Sequence, residues 1–171
     1  MTTFNVSVPG RGLDLWLYSF ASHQARPLLE TASVEDQARF SPDGHWLAYS
    51  SNETGQNEVY ICALTEAGVR GKWVISTGGG IEPQWRGDSK ELFYATRAAL
   101  ARIMAVDISE KNGAIVPGVP HPLFESRMAG SGRNRWTVTA DGKRFLVNVP
   151  PAEKPATTLN VVLNWPALIA K

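Results

Sequence analysis

Short runs of alternating apolar and polar residues, separated by turn sequences, recur along the chain. The clearest example is residues 39–64, RFSPDGHWLAYSSNETGQNEVYICAL, in which two turns separate three strand-like stretches. In the first turn Pro42 fixes φ, Asp43 can bond its own backbone, and Gly44 accepts a positive φ. Residues 52–55, NETG, are the second turn. The pattern therefore predicts an antiparallel meander, which is used below as the repeat unit.

The repeat unit occurs three times, and each copy has an aspartate in its first turn. These aspartates are Asp43, Asp88 and Asp141, at spacings of 45 and 53 residues. The second copy lacks the turn proline and the final glycine, and the third lacks the proline. Repeats of about 40–50 residues with several strands each are typical of β-propeller blades. Helical periodicity is not evident, so the sequence predicts an all-β fold.

Four blade units are predicted in one domain, 1–171, and each unit is assigned from its strands and turns. In chain order the units are about 1–31, 36–77, 82–126 and 135–171. The first lacks an innermost strand, and the last has three strands, of which the third is 159–165, without an outer one. Residues 112–120, rich in Gly and Pro, are predicted to be an exposed connection before an outer strand at 121–126.

Two stretches resemble known families. Residues 41–61, SPDGHWLAYSSNETGQNEVYI, resemble the repeat of TolB-like, WD-type β-propellers, whose blades open with a W/F-S-P-D-G turn. Residues 141–150, DGKRFLVNVP, followed by LNVVLNW, resemble the C-terminal propeller region of bacterial Ser/Thr protein kinases. The resemblance implies a partial or small β-propeller of about four four-stranded antiparallel blades. It also indicates the bacterial periplasm or extracytoplasmic side, although the residues themselves do not identify the compartment.

The small number of blades leaves closure of the ring open to three alternatives. Typical rings have about 4–8 blades, and an open arc exposes sheet faces and strand edges. The chain closes as a four-bladed ring, or two copies complete a larger one, or the chain is a fragment of a longer propeller. We favour a homo-oligomer that completes the propeller, because the family that the chain resembles normally has more blades.

Composition narrows the classes of function. The net charge is +1, with acidic and basic residues interspersed, which argues against a nucleic-acid or anionic-membrane surface. No apolar run is long enough for a membrane-spanning helix, and no signal peptide is expected at the N-terminus. Cys62, the single cysteine, lies in a strand pattern and is predicted to be a buried small hydrophobe. No metal and no cofactor are predicted.

Sequence motifs for catalysis are weak. Three glycines at 78–80 lack the Lys-Ser/Thr and the strand–helix context of a phosphate loop, so a connection between blades is the better interpretation. The histidines His23, His45 and His121 fall in separate units, and no G-x-S-x-G elbow is present. The turn aspartates are predicted to be structural, and the repeated Trp and Tyr residues to pack between blades. We therefore expect that the protein is not an enzyme.

The candidate ligand-binding residues are polar positions at the starts of the innermost strands, which border the channel of a propeller. They are Gln37, Arg39, Glu82, Gln84, Arg135 and Thr137. Either these side chains solvate a water-filled channel, or the arginines bind an anionic group while Gln and Glu supply directional hydrogen bonds. The predicted function is a non-catalytic binding or scaffold module for a peptide, protein or small ligand, such as the sensor region of a bacterial signalling protein. A peptidase- or glycosidase-associated propeller is the alternative.

Overall fold

The computed structural model describes residues 1–10, 12–129 and 133–151, and every regular element among them is a β-strand. The strands are β1 (Thr2–Val8), β2 (Gly12–Ser19), β3 (Gln24–Leu29), β4 (Glu35–Phe40), β5 (Trp46–Ser51), β6 (Glu58–Thr65), β7 (Gly68–Val74), β8 (Ile81–Trp85), β9 (Glu91–Ala95), β10 (Ala101–Lys111), β11 (Ala114–Pro117), β12 (His121–Ser126), β13 (Trp136–Val138) and β14 (Phe145–Val147). Within these residues no helix is long and apolar enough to cross a membrane.

The strands form successive antiparallel sheets in chain order. The first sheet is β1-β2-β3, the second is β4-β5-β6-β7, the third is β8-β9-β10 with β11 and β12 on its outer side, and the fourth contains β13 and β14. Among the described residues the first sheet has three strands, and the sequence predicts no innermost strand for this unit. The predicted strand at 159–165 lies outside the described residues. The all-β prediction, with antiparallel meanders as its unit, is confirmed.

The connection predicted at 112–120 is wrong in part. Residues Ala114–Pro117 form β11, which pairs with the end of β10 from Ile108↔Pro117 to Lys111↔Ala114. Asn112 and Gly113 both have positive φ, 54° and 74°, as the two-residue turn of a type I′ hairpin requires. Ile115 is buried in the core between the second and third sheets. This hairpin adds an apolar side chain to that core.

Each sheet packs its face against the next sheet, and this arrangement produces three hydrophobic cores. Strand β5 contributes side chains to two of these cores, because successive side chains of a strand point to opposite faces of its sheet. Trp46 and Ala48 pack towards the third sheet, whereas Leu47 and Tyr49 pack towards the first. All six residues of β5 are buried. The second sheet is therefore enclosed between its neighbours, as a blade of a propeller is.

Aromatic side chains fill the cores, as predicted. The buried Trp and Tyr residues are Trp46, Tyr49, Tyr60, Trp85, Tyr94 and Trp136. Between the third and fourth sheets, the Phe145 ring meets Phe93 edge-on at 5.4 Å and Phe124 at 5.1 Å. Trp16 and Tyr18 of the first sheet are half-buried, and Trp165 lies outside the described residues.

Candidate functional site

The inner strands β4 and β8 carry a bulge at the same position. Gln37 and Glu82, 45 residues apart, have φ values of 58° and 54°, and strand register shifts at both points. A left-handed conformation costs a residue with a side chain about 1–2 kcal/mol, and a bulge redirects the side chains beside it. The fourth unit has a related feature one residue earlier, since Asn134 has φ 59°. The repeated conformation directs polar side chains towards the inner strands of neighbouring units.

Gln37, Glu82 and Arg135, the equivalent residue of the fourth unit, are linked in series by hydrogen bonds. The Gln37 side-chain oxygen accepts from the Glu82 backbone N–H at 2.8 Å and from the Ser50 hydroxyl at 3.1 Å. The Glu82 carboxylate in turn accepts from Arg135 Nε at 2.9 Å. Glu82 and Arg135 are only 2% and 15% exposed, so this ion pair is shielded from solvent. Residues in equivalent positions of three units thus form one polar chain across β4, β8 and the start of β13.

A second ion pair joins the segment before β13 to the first two sheets. Arg133 Nε lies 3.0 Å from Asp36 Oδ2, and Arg133 Nη1 donates to Asn5 Oδ1 at 3.1 Å. The Asn5 side-chain amide donates to the Glu35 carbonyl at 2.8 Å. These contacts place side chains from the first, second and fourth units around one end of the inner strands.

Arg39 differs from the other two arginines of this cluster. Its guanidinium donates to the Ala38 carbonyl at 3.0 Å and to the Asn134 side-chain oxygen, and both acceptors are neutral. Among the described residues it forms no salt bridge. Burial lowers the pKa of Arg39, and the negative charges of Glu82 and Asp36 act against that shift. Arg39 is therefore a partly desolvated cation without a carboxylate in contact.

Arg39 and Asn134 line two cavities. The larger, about 660 Å³, is lined by Arg39, Gln84, Asn134, Arg135, Trp136, Thr137, Leu146, Val147 and Asn148. The smaller, about 260 Å³, is lined by Thr3, Phe4, Asn5, Leu15, Asp36, Gln37, Ala38, Arg39, Arg133 and Asn134. The larger cavity combines a cation, neutral hydrogen-bonding groups and apolar surface. A small polar–apolar group of a ligand fits this combination.

The six residues predicted from the sequence therefore divide into two sets. Gln37, Glu82 and Arg135 are linked in series by hydrogen bonds, and Arg135 also lines the larger cavity. Arg39, Gln84 and Thr137 line that cavity without joining the series. Sequence reasoning missed Asn5, Asp36, Arg133 and Asn134. Asn5 belongs to a unit predicted to lack an inner strand, and Arg133 and Asn134 fall between the units predicted at 82–126 and 135–171, so register gave no reason to select them.

The glycine run at 78–80 binds a carboxylate of the protein itself. Gly78 and Gly79 donate their backbone N–H groups to Glu58 Oε1 at 2.9 and 3.0 Å. The Ser76 hydroxyl donates to Glu58 Oε2 at 2.5 Å, and Glu58 is 4% exposed. The run connects β7 to β8, so the interpretation as a connection between units is confirmed.

The turn aspartates are structural, as predicted. Asp43, Asp88 and Asp141 each accept, through Oδ1, the backbone N–H two residues further on at 3.0 Å. In the second copy the Arg86 guanidinium also binds Asp88 and, with the Lys90 N–H, lowers the pKa of that carboxyl to about 2. Each aspartate thus closes a hairpin turn between the first two strands of its unit.

This lowered pKa predicts a small pH-dependent contribution from Asp88. A carboxyl whose pKa is lower in the folded state than the usual value of about 4 adds stability above that pH and loses it as the pH falls towards 2. We expect Asp88→Asn to lower the free energy of unfolding at pH 7 slightly, because Asp88 is exposed. The difference from wild type should shrink between pH 4 and pH 2 in urea titrations. Glu110→Gln, at another exposed carboxyl, is the control, and an Asp88→Asn deficit that stays constant with pH would contradict the assignment.

A separate groove lies between the first and second sheets, and Phe40 is the residue of β4 that lines it. Its volume is about 520 Å³, and its apolar lining includes Leu17, Phe40 and Leu64. Arg26 and Glu66 lie at its polar margin, where Arg26 Nη2 donates to the Glu66 carbonyl at 3.4 Å. This groove contains none of the residues selected from the sequence.

The remaining residues weighed for chemistry lie outside both cavities. His23, His45 and His121 are exposed and belong to three different sheets or their turns. Cys62 is buried beside the Leu47 carbonyl, and burial raises the pKa of its thiol to about 12, as expected for a small core residue. In the described part of the chain, no group of three His, Cys, Asp or Glu side chains could hold a metal ion.

Comparison with known proteins identifies the fold. No protein-family model matches the chain, and no curated protein matches it. A solved structure of a putative TolB from Agrobacterium tumefaciens matches 73% of this chain with a TM-score of 0.59 and 18% identity. TolB from Acinetobacter baumannii matches 88% with a TM-score of 0.53 and 16% identity. The fold is that of TolB propellers.

The similarity covers only part of each TolB structure. The chain spans 45% and 47% of those two TolB structures, which is less than half of each. A structure from a study of two prolyl endopeptidases also matches, with a TM-score of 0.51 and 15% identity over 80% of this chain and 22% of that one. At these identities the likeness establishes the fold alone. The TolB-like β-propeller fold predicted from the turn motif is confirmed.

Proposed function

We propose that the protein is a non-catalytic binding module, in which a peptide segment binds at the larger cavity beside the inner strands. The observation that carries the proposal is that a series of hydrogen bonds between polar residues supports the lining of this cavity. Gln37, Glu82 and Arg135 are held in series by hydrogen bonds, and Arg135 lines the cavity together with Arg39, Gln84 and Thr137. Preorganised walls of this kind favour binding, because few side chains must be ordered when the ligand arrives.

The chemistry beside the cavity supports binding in preference to catalysis. General acid–base catalysis needs a carboxyl or imidazole within reach of the substrate. The nearby carboxylates of Asp36 and Glu82 are each bound to an arginine, and the three histidines are exposed elsewhere. We place the module on the extracytoplasmic side of a bacterial cell, as part of a signalling protein, on the strength of the TolB and kinase-tail resemblances.

A peptide library tests binding and turnover together. We expect the immobilised wild-type protein to retain a subset of a random octapeptide library with free C-termini, and to return those peptides uncleaved in mass spectra. Gln84→Ala should weaken retention about three- to tenfold, because it removes one neutral hydrogen-bonding group from the cavity.

Gln24→Ala is the matched control, since Gln24 lines the separate groove between the first and second sheets. Its retention should equal that of the wild type. No retained peptide, or equal losses in the two glutamine variants, would contradict the proposal. Systematic cleavage of retained peptides would favour the hydrolase alternative instead.

A further inference from the structure

The cavity beside Arg39 has the chemistry of a carboxylate receptor. We propose that it binds the free C-terminus of a peptide whose last residue is apolar, with the Arg39 guanidinium contacting the terminal carboxylate. This inference rests on the proposed function, because it names the ligand group that the same cavity takes. It assigns the anion to one arginine, whereas sequence reasoning gave Arg39 and Arg135 the same role.

The ion pairs of the cluster leave Arg39 as the cation for a ligand. Arg133 and Arg135 are bound to Asp36 and Glu82, so the cluster has one more arginine than these two carboxylates. The donors of Arg39 meet a carbonyl and a side-chain amide oxygen, and a guanidinium has five N–H groups to offer. A carboxylate gains more from a partly desolvated arginine than from one in water.

The rest of the lining matches the groups next to a C-terminal carboxylate. The side chains of Gln84, Thr137 and Asn148 line the cavity, and none of them has a hydrogen bond to another described side chain. These side chains can form hydrogen bonds with the N–H and C=O groups of the last peptide bond. Leu146, whose side chain is 73% exposed, offers apolar surface for the terminal side chain.

An isolated phosphate or an internal acidic side chain uses less of this surface. Either anion could contact Arg39, but phosphate has no apolar group, and an internal Asp or Glu does not have an apolar side chain on the residue that carries the anion. A peptide C-terminus combines the anion, the amide group and an apolar side chain in one unit. The geometry of the lining therefore favours a C-terminus over the other two anions.

The test compares acids with amides in one library. Octapeptides that end in Leu, Val or Phe are prepared with a free C-terminal carboxylate and, separately, as C-terminal amides. We expect wild-type protein to retain the acids at least about tenfold more strongly, because a charge-assisted hydrogen bond is lost in the amide. Inorganic phosphate at millimolar concentration should not displace the acids.

Arg39→Gln should remove the preference for acids, and Arg39→Lys should keep part of it because the charge remains. The control is Arg102→Gln, since Arg102 is 60% exposed and pairs with Glu125 between β10 and β12. That variant should retain the full preference. The wild-type comparison of acids and amides does not depend on whether any variant folds.

The outcomes separate this inference from the proposed function. If acids and amides are retained equally, the carboxylate inference is wrong while the binding function stands. An unchanged preference in a folded Arg39→Gln protein, or displacement by phosphate, also overturns the inference. If neither form is retained, both the inference and the proposed function fail.

Discussion

Replacing Glu58 with alanine should lower the free energy of unfolding by about 3 kcal/mol, measured in urea at pH 7. The buried Glu58 carboxylate accepts four hydrogen bonds, from the Gln56 amide, the Ser76 hydroxyl and the Gly78 and Gly79 N–H groups. Alanine would leave these donors without their acceptor, and the Ser76 side chain is fully buried. A buried polar group that loses its partner costs its desolvation energy, so the effect exceeds that of a surface substitution.

Two variants control the Glu58 experiment. Glu53→Ala removes a carboxylate that pairs with Lys72 at the surface, where an ion pair contributes about 0–1 kcal/mol. Glu58→Gln keeps one oxygen acceptor and should fall between wild type and Glu58→Ala. If Glu58→Ala were no more destabilising than Glu53→Ala, the carboxylate would not be what holds the 78–80 connection.

Replacing Phe93 with alanine should cost about 3–5 kcal/mol, again read from urea unfolding. Phe93 is 1% exposed, and its ring packs edge-on against Phe145 between the third and fourth sheets. Removing the ring leaves a cavity in the core to which the fourth sheet contributes Trp136 and Phe145. The same substitution should therefore loosen the contact that positions β13 and the cavity.

Leu146→Ala is the control for Phe93, because Leu146 belongs to the same fourth sheet but is 73% exposed. We expect a change below about 0.5 kcal/mol, as for most surface substitutions. Similar losses in the two variants would mean that the contact between the third and fourth sheets does not stabilise the protein.

The turn chemistry made the fold predictable from the sequence. The sequence alone places Asp43, Asp88 and Asp141 at equivalent turns. In the structure each of them bonds the backbone N–H of the residue two positions further on. Local turn geometry depends on a few adjacent residues, so it can be recognised in a single sequence. The Asn112-Gly113 turn is also a local signal, because Asn-Gly is typical of a two-residue hairpin turn. It indicates β11, whereas the Gly and Pro content of 112–120 indicates an exposed connection.

The site was only partly predictable, because its organisation depends on contacts between units. Register alone selected Gln37, Glu82 and Arg135, but no local pattern shows that they bond to one another. The pairing of Arg133 with Asp36 links residues 97 positions apart, which a single sequence does not reveal. Completion of the ring by a second copy stays a prediction, to be tested by light scattering of the protein in solution.

The most direct test of the account is to locate the bound peptide. Retained octapeptides carrying a benzophenone group would be irradiated on the wild-type protein and the cross-linked segments identified by mass spectrometry. The account predicts cross-links within residues 134–148 and to β8, around Arg39 and Gln84. Cross-links concentrated on the groove of Leu17, Phe40 and Leu64 would contradict it, because that groove shares no lining residue with the larger cavity.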